Sequence, residues 1–477
     1  MNKISCLILY CFLTSLCNKT YAQEVNSGLV IPFKLLGKIK PRSANSIKSS
    51  IWSVGGETLD RDYANYNSYK RYLGPLGAKR IRLQSGWAKT ETIKGIYNWL
   101  WLDSVVNDAI AQGVKPWMQI GYGNKIYEGG GTAAIGSPLP SSAEARKAWD
   151  IWLAALINRY KDRIDEWEIW NEVDHQGDQT PAAEYGDFYV RTGEIIRFIQ
   201  PKAKLIALAL TTGGFMYKTY AEQFLSYMAG KKKLGLVDAI TFHYYAPVPE
   251  KMPEDLMSFK VMTGKYSKSI KFWQGESGCP STGNSSGGLR EYNWSELSQA
   301  KYILRRMMND RSQNLELSSI FQISDMIGYN GKTNSKGLLR ANPDKTIAYA
   351  KPAYYAMQHV TSIFDDHLIL NSSSKITTNI PDSISIQRYT NQKNGTQTLS
   401  IVLSRERPSD EQKIKLADIS VSACRFKKPV YVDLLSGKIY EIPAMNVKRD
   451  ADKIVFLKLP VTDFPVLIAE RSSVLGN

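Results

Sequence analysis

Glu166-Trp167-Glu168-Ile169-Trp170-Asn171-Glu172 is a short run in which Trp167 and Ile169 fall on one face, after which the chain opens into Val173-Asp174-His175-Gln176-Gly177. Alternation at a period of two reads as a β-strand, with Glu172 at its carboxyl end. Seven similar runs accompany it: Ile51–Val54, Arg80–Leu83, Lys115–Ile120, Leu205–Leu210, Ala239–Phe242, Ile270–Trp273 and Ile320–Ile323. Between them lie stretches with helical spacing, among them Trp101–Gln112, Ala143–Tyr160, Glu184–Ile199, Lys218–Ala229 and Ser295–Asn309. Gly113 stands where a helix C-terminal cap belongs. Eight strand–helix units over roughly 310 residues predict an α/β fold, a (β/α)8 TIM barrel spanning 49–364. A doubly wound open sheet would show the same alternation, but no glycine fingerprint follows the first strand.

After Phe364 the pattern changes. Ser383–Arg388, Thr396–Val402, Val430–Leu434 and Lys453–Leu459 are short and β-rich, separated by turn signals such as Asn394-Gly395 and Ser436-Gly437. Residues 365–477 therefore read as a C-terminal antiparallel β-sandwich. Residues 23–48 form an N-terminal segment in which Leu29-Val30-Ile31-Pro32-Phe33 could supply one more strand to it. All 11 tryptophans lie at or before Trp294, so the sandwich lacks the aromatic platform of a sugar-binding module and reads as a structural companion.

The 477 residues are 43% apolar, 11% aromatic and 22% charged, with 34 Gly and 5 Cys, which excludes a disordered, collagen-like or disulfide-knotted chain. Residues 1–22 carry Lys3, an apolar stretch from Ile4 to Leu16 and a small-residue exit at Thr20-Tyr21-Ala22. This is the pattern of a secretory signal peptide cleaved before Gln23, and it predicts a secreted or periplasmic product. The apolar run falls short of the ~20 residues that a spanning helix needs, and no other segment approaches that length. Cleavage would remove Cys6, Cys11 and Cys17, leaving Cys279 and Cys424, with no CxxC spacing to bind zinc. It would also remove Lys3 and Lys19 and no acid, taking the net charge from +16 to +14. Lysines and arginines are scattered and do not form a stripe interleaved with aromatics, so nucleic acid is not an expected partner.

The strand ending at Glu172 has a counterpart in Phe272-Trp273-Gln274-Gly275-Glu276-Ser277-Gly278. Glu172 and Glu276 thus emerge from strands four and seven onto one rim, where barrel catalysts are built. Two carboxylates there suit glycosidic cleavage: one protonates the leaving oxygen and the other handles the anomeric carbon. The pattern resembles clan A of the glycoside hydrolases. Arg82 in Lys79-Arg80-Ile81-Arg82-Leu83-Gln84, and His243 and Tyr245 in Thr241-Phe242-His243-Tyr244-Tyr245, extend the resemblance. Within the clan the chain is most similar to family 39, of β-xylosidases and α-L-iduronidases, on Ser324-Asp325 and Lys351-Pro352-Ala353-Tyr354-Tyr355-Ala356. The resemblance implies a retaining, double-displacement reaction on a β-type bond of an oligosaccharide or polysaccharide. It assigns Glu172 as acid/base and Glu276 as nucleophile, Arg82 and Tyr245 holding Glu276 ionised, and Asn171 touching the hydroxyl beside the anomeric carbon. Two departures stand out: Gln84 where family members carry His, and Phe321-Gln322 where a Trp is expected. No metal or organic cofactor is implied, because protonation and covalent capture suffice.

Trp87, Trp117 and Tyr122 lie at or beyond strand ends and are expected to stack on a sugar face, with core packing as the alternative. Glu57, Asp60 and Arg61 either bind sugar or start and charge the first helix, the second being favoured. A catalytically inactive, carbohydrate-binding barrel competes with the hydrolase, but having both Glu172 and Glu276 counts against it. A third reading, a hydrolase of anionic uronic-acid glycans, follows from the positive charge, which would concentrate such polymers.

Overall fold

A computed structural model describes residues 25–175, 180–372, 375–424, 426–450 and 452–475. The segment read as a signal peptide lies outside these residues. Eight parallel strands close a barrel in chain order: β1 (Trp52–Gly55), β2 (Arg80–Gln84), β3 (Lys115–Ile120), β4 (Glu166–Ile169), β5 (Lys204–Leu210), β6 (Ala239–His243), β7 (Lys271–Ser277) and β8 (Leu317–Ile320). β8 closes the ring by pairing with β1, Ser318 opposite Trp52 and Ile320 opposite Val54. The eighth strand thus lies three residues before the apolar run Ile320–Ile323 that predicted it. Leu317-Ser318-Ser319-Ile320 hides from a hydropathy reading because two serines interrupt it, although all four residues are buried. Ser318 donates to Asp310, and the Ser319 N–H donates to Gln274.

The outer helices follow from amphipathic spacing and local caps. The 18-residue helix Ala143–Tyr160 is capped by Ser142, which accepts from the Ala145 N–H, and buries Trp149, Trp152 and Leu156. The helix Glu296–Ser312 opens with a reciprocal Ser295–Ser298 capping box. The last barrel helix, Pro352–Ile363, starts with proline in its first turn, where the missing N–H costs nothing.

Inside the barrel, Trp117, Ile206, Ala239, Trp273 and Leu317 form an apolar plug, with Trp117 and Trp273 meeting edge to face at 5.3 Å. The plug is one of the side-chain layers that make such barrels solid, and it sets the floor on which the polar rim stands.

Two antiparallel sheets follow the barrel. The larger has seven strands in the order Leu35–Lys38, Lys438–Glu441, Pro429–Asp433, Val466–Glu470, Gln397–Leu403, Ile384–Asn391 and Leu368–Leu370. The smaller has four: Ile376–Thr378, Ile414–Ser422, Lys453–Thr462 and Val447–Arg449. The N-terminal strand of the larger sheet is Leu35–Lys38, paired with Lys438–Glu441, and not Leu29–Phe33, which the proline interrupts. Lys301 and Arg305, on one barrel helix, clamp the sandwich: Lys301 reaches Asp463 and the carbonyls of Ser409 and Glu411, and Arg305 the carbonyls of Ser404 and Glu406.

Between β8 and the last helix the chain forms two hairpins, Met326–Tyr329 with Lys332–Asn334 and Leu339–Ala341 with Ile347–Ala350. Lys351 anchors both. It is fully buried and donates to Asp325 at 2.7 Å, Ser281 at 2.9 Å and the carbonyls of Ser335 and Gly337. Asp325 in turn accepts from the Gly337 N–H at 3.1 Å. Breaking one partner of a buried pair leaves the other charge stranded. Lys351→Met is expected to cost about 3–5 kcal/mol in chemical denaturation, and adding Asp325→Leu to recover part of the loss. A single variant as stable as the parent would show that the pair does not hold the hairpins.

Candidate active site

β4 ends in backbone that a regular strand would not adopt. Trp170 (φ 71°) and Glu172 (φ 46°) are both left-handed, which costs a bulky residue free energy and persists only where surroundings enforce it. Here the Trp170 ring is packed by Tyr122, Trp149 and Phe188, its N–H donates to Ile120, and the Glu172 N–H donates to Ala209. The result turns the Glu172 side chain over the barrel mouth. Glu276 reaches the same mouth from inside β7, which runs four residues beyond its expected end at Trp273.

Arg82, fully buried on β2, organises the floor. Its Nε donates to Glu168 at 2.9 Å and its Nη2 to both Glu168 and Asn171, the latter at 2.8 Å. Its Nη1 donates to Glu276 and, at 3.3 Å, to Glu57. Glu168 is completed by the Thr241 hydroxyl. The Tyr245 hydroxyl donates to the other Glu276 oxygen at 2.9 Å. His243 Nδ1 lies 2.8 Å from Glu172 and 3.6 Å from Glu276. One oxygen from each glutamate and a His243 nitrogen all lie within 4.8 Å of one another. These three are donors that a divalent cation would accept, and the hydrogen bond through His243 accounts for their closeness equally well.

Electrostatics separates the carboxyls. Burial by itself would raise the Glu276 pKa, but His243, Arg82 and the Tyr245 hydroxyl outweigh it and hold the group below the usual glutamate value. His243 is also buried, which disfavours its cation, yet Glu276 and Glu172 raise its pKa. Glu57 goes the other way: burial, with repulsion from Glu276, outweighs Arg82 and pushes it up to about 8.

The mouth opens into a cavity of about 370 Å³. Glu57, Asn171, Glu172, Tyr245 and Glu276 line it, together with Tyr122, Arg61, Arg290, Tyr329 and Lys336. Arg82, His243, Asn171 and Tyr245 thus converge with the two glutamates from β2, β4, β6 and β7. Trp87 and Trp117 do not join them. Trp87 is fully buried, stacked between Tyr127 and Trp152 with its indole N–H on Glu91, and Trp117 belongs to the apolar plug with its N–H on Ser53. The expectation that they stack on a sugar is corrected to core packing. Glu57, Asp60 and Arg61 do not start the first α-helix either: Leu59–Arg61 is a single 3-10 turn, and the α-helix begins at Tyr66 under an Asn65 cap, while Gln84 accepts from the Thr58 N–H and from Arg61, fixing their loop in the cavity wall.

Residues that the sequence reading passed over include Glu168, Arg290, Tyr329 and Lys336. Glu168 had a signal, a charge set between Trp167 and Ile169 inside the strand. The others reach the cavity through the loops beyond β7 and β8, and no local pattern marks them.

No protein-family model matches the chain, and no curated protein matches its sequence. Solved structures match its fold. A family 39 glycoside hydrolase from the gut symbiont Bacteroides cellulosilyticus WH2 is 20% identical, with a TM-score of 0.63 over 88% of this chain and 80% of that one. A monomeric beta-xylosidase from Caulobacter crescentus CB15 is 14% identical, with a TM-score of 0.57 over 91% and 97%. The catalytic domain of the family 30 xylanase C from Talaromyces cellulolyticus is 12% identical, with a TM-score of 0.56 over 92% and 99%. This chain therefore shares, across nearly its whole described length, the fold of family 39 and family 30 glycoside hydrolases.

Proposed function

We propose that the protein is a retaining glycoside hydrolase that cleaves a β-type bond in an oligosaccharide or polysaccharide, with Glu276 as nucleophile and Glu172 as acid/base. The observation that carries this reading is the pair itself: a Glu276 carboxylate held ionised by Arg82, His243 and Tyr245, with a Glu172 oxygen no more than 4.8 Å away. That spacing suits the retaining geometry of about 5–5.5 Å and is too short for the inverting range of roughly 6.5–9.5 Å, which admits a water. Export directed by residues 1–22 belongs to the same proposal. Among the described residues, no helix is long and apolar enough to cross a membrane.

In the first step a Glu276 oxygen bonds to the anomeric carbon as the bond to the leaving oxygen breaks, and Glu172 passes its proton to that oxygen. Water then gives a proton to Glu172 while its oxygen takes the anomeric carbon, releasing Glu276 as a carboxylate. Asn171, its Oδ1 occupied by Arg82, keeps its amide N–H groups for the neighbouring sugar hydroxyl.

The roles separate in variants. Glu276→Gln is expected to abolish glycosyl-enzyme formation for every substrate. Glu172→Ala should lose about 10²–10⁴-fold on poor leaving groups, spare dinitrophenyl glycosides, and be partly rescued by azide. Identical responses of the two variants to leaving group and azide would overturn the assignment.

The acid limb has a sign. Glu276 acts as an anion and its pKa is depressed, so activity persists below the ordinary glutamate range and is lost only as pH falls through the lowered value. Tyr245→Phe removes one of the hydrogen bonds that lower it and should move the acid limb of kcat/KM up by roughly one pH unit. An unmoved limb would remove Tyr245 from this role.

One observation favours an anionic glycan. Lys336 is 1% exposed and faces the cavity, yet it meets only the Ser286 carbonyl at 3.2 Å and the Tyr245 ring, with no carboxylate in ion-pair reach among the described residues. Lys301 and Lys351, equally buried, each hold an aspartate. An unpaired buried ammonium costs free energy that a substrate carboxylate would offset, and burial has already pushed Lys336 down to about 8. On this reading Lys336→Met lowers kcat/KM for aryl uronides by roughly tenfold more than for the matching neutral glycosides. Equal losses on both would leave the neutral reading.

A further inference from the structure

Arg82 Nη1 faces two carboxyl groups, Glu276 and Glu57, while its Nε and Nη2 are occupied by Glu168. Three carboxyls around one guanidinium cannot all be anions without net buried negative charge. The Glu57 side chain is 2% exposed, its Oε1 contact with Arg82 is the longest of the set at 3.3 Å, and its Oε2 has no hydrogen-bond partner although it is buried. A carboxylate oxygen left bare in the interior is costly, whereas a protonated one becomes a donor awaiting an acceptor. Glu57 also lines the cavity that contains Glu172 and Glu276.

We propose that Glu57 is a specificity-determining residue that rests as a neutral carboxylic acid, its Oε1 accepting from Arg82 and its Oε2–H donating to an oxygen of the sugar bound in the cavity. The sugar contact rests on the hydrolase reading above, but the protonation state does not. The groups that face Glu57 come from four places: Arg82 on β2, Glu276 on β7, Tyr245 beyond β6, and Tyr69 on the first helix, whose hydroxyl is itself buried without a partner. Arg82, with a smaller contribution from a backbone N–H, favours the Glu57 anion. Burial and Glu276 oppose it, and together they prevail. The proton therefore also protects the nucleophile, since a second anion at Nη1 would compete for the same guanidinium charge.

The test begins on the intact resting protein, without substrate. Carboxyl carbon-13 NMR of glutamate-labelled protein should show one side chain that titrates near pH 8, absent from Glu57→Gln and shifted to lower pH in Glu276→Gln, where the repelling charge is gone. All glutamates titrating in the ordinary range, or a high-titrating signal that survives Glu57→Gln, would overturn the proposal. Should Glu57→Gln fail to fold, the downward shift in Glu276→Gln decides alone, and its absence overturns the assignment. The second arm uses a dinitrophenyl glycoside, whose leaving group needs no proton from Glu172. Its kcat/KM should decline above about pH 8 in the parent and show no such decline in Glu57→Gln; a decline that persists in Glu57→Gln would overturn the sugar contact. Hydrolysis that fails altogether while the carboxyl titration behaves as described would count against the glycosidase reading and not against the proton on Glu57.

Discussion

A single guanidinium, with no solvent exposure, fixes the geometry of the barrel mouth. Arg82 sits on the indole of Trp117, 5.3 Å from its ring, and spends its donors on four residues from three different segments. Taking a cation out of water costs several kcal/mol, so such an arrangement survives only when its hydrogen bonds are filled and its charge is matched. Glu168 supplies the match, one of its oxygens accepting from both Nε and Nη2 while the other accepts from the Thr241 hydroxyl, which fixes orientation as well as charge. Because Glu168 lies one residue before the end of β4, and Asn171 three beyond Glu168, the same contact aligns β2 with β4 and places Glu172 relative to Glu276.

That dependence explains why the reading of the chain succeeded where it did. The barrel was legible because eight runs of buried alternation are a consequence of closing a parallel sheet, and Glu172 and Glu276 were legible because strand ends are a one-dimensional property. Burial direction was harder. Trp117 and Arg82 are partners across β2 and β3 and both point inward, so the tryptophan that follows the rim by sequence lies beneath it in space. Trp87 likewise starts a short helix that turns it into the packing of Trp149 and Trp152. Glu57, Arg61 and Lys336 could not be placed at all, because their positions depend on loops whose paths are set by contacts such as Gln84 on Thr58 and Lys351 on Asp325. Gln84, in a position where the resembling family carries His, holds a loop here by its side-chain oxygen.

The left-handed backbone at Trp170 and Glu172 belongs to the same economy of contacts. A strand that ended regularly would carry Glu172 along its own axis. The cluster of Tyr122, Trp149 and Phe188 holds the departure in place, so aromatic packing outside the sheet is converted into aim at its mouth.

The two hairpins beyond β8 are fastened through Lys351 and Asp325, at a point that shares no side chain with the Arg82 network. Their outer turn, at Asn330-Gly331, is exposed at the rim, where Asn330 joins Tyr329 and Lys336 in lining the cavity. The hairpin wall and the Arg82 floor are thus fastened separately, and they meet where Lys336 lies over the ring of Tyr245. On the proposed hydrolase reading, a lineage could lengthen, shorten or recharge the outer turn and so change the ligand that the wall meets, while the barrel mouth stayed still.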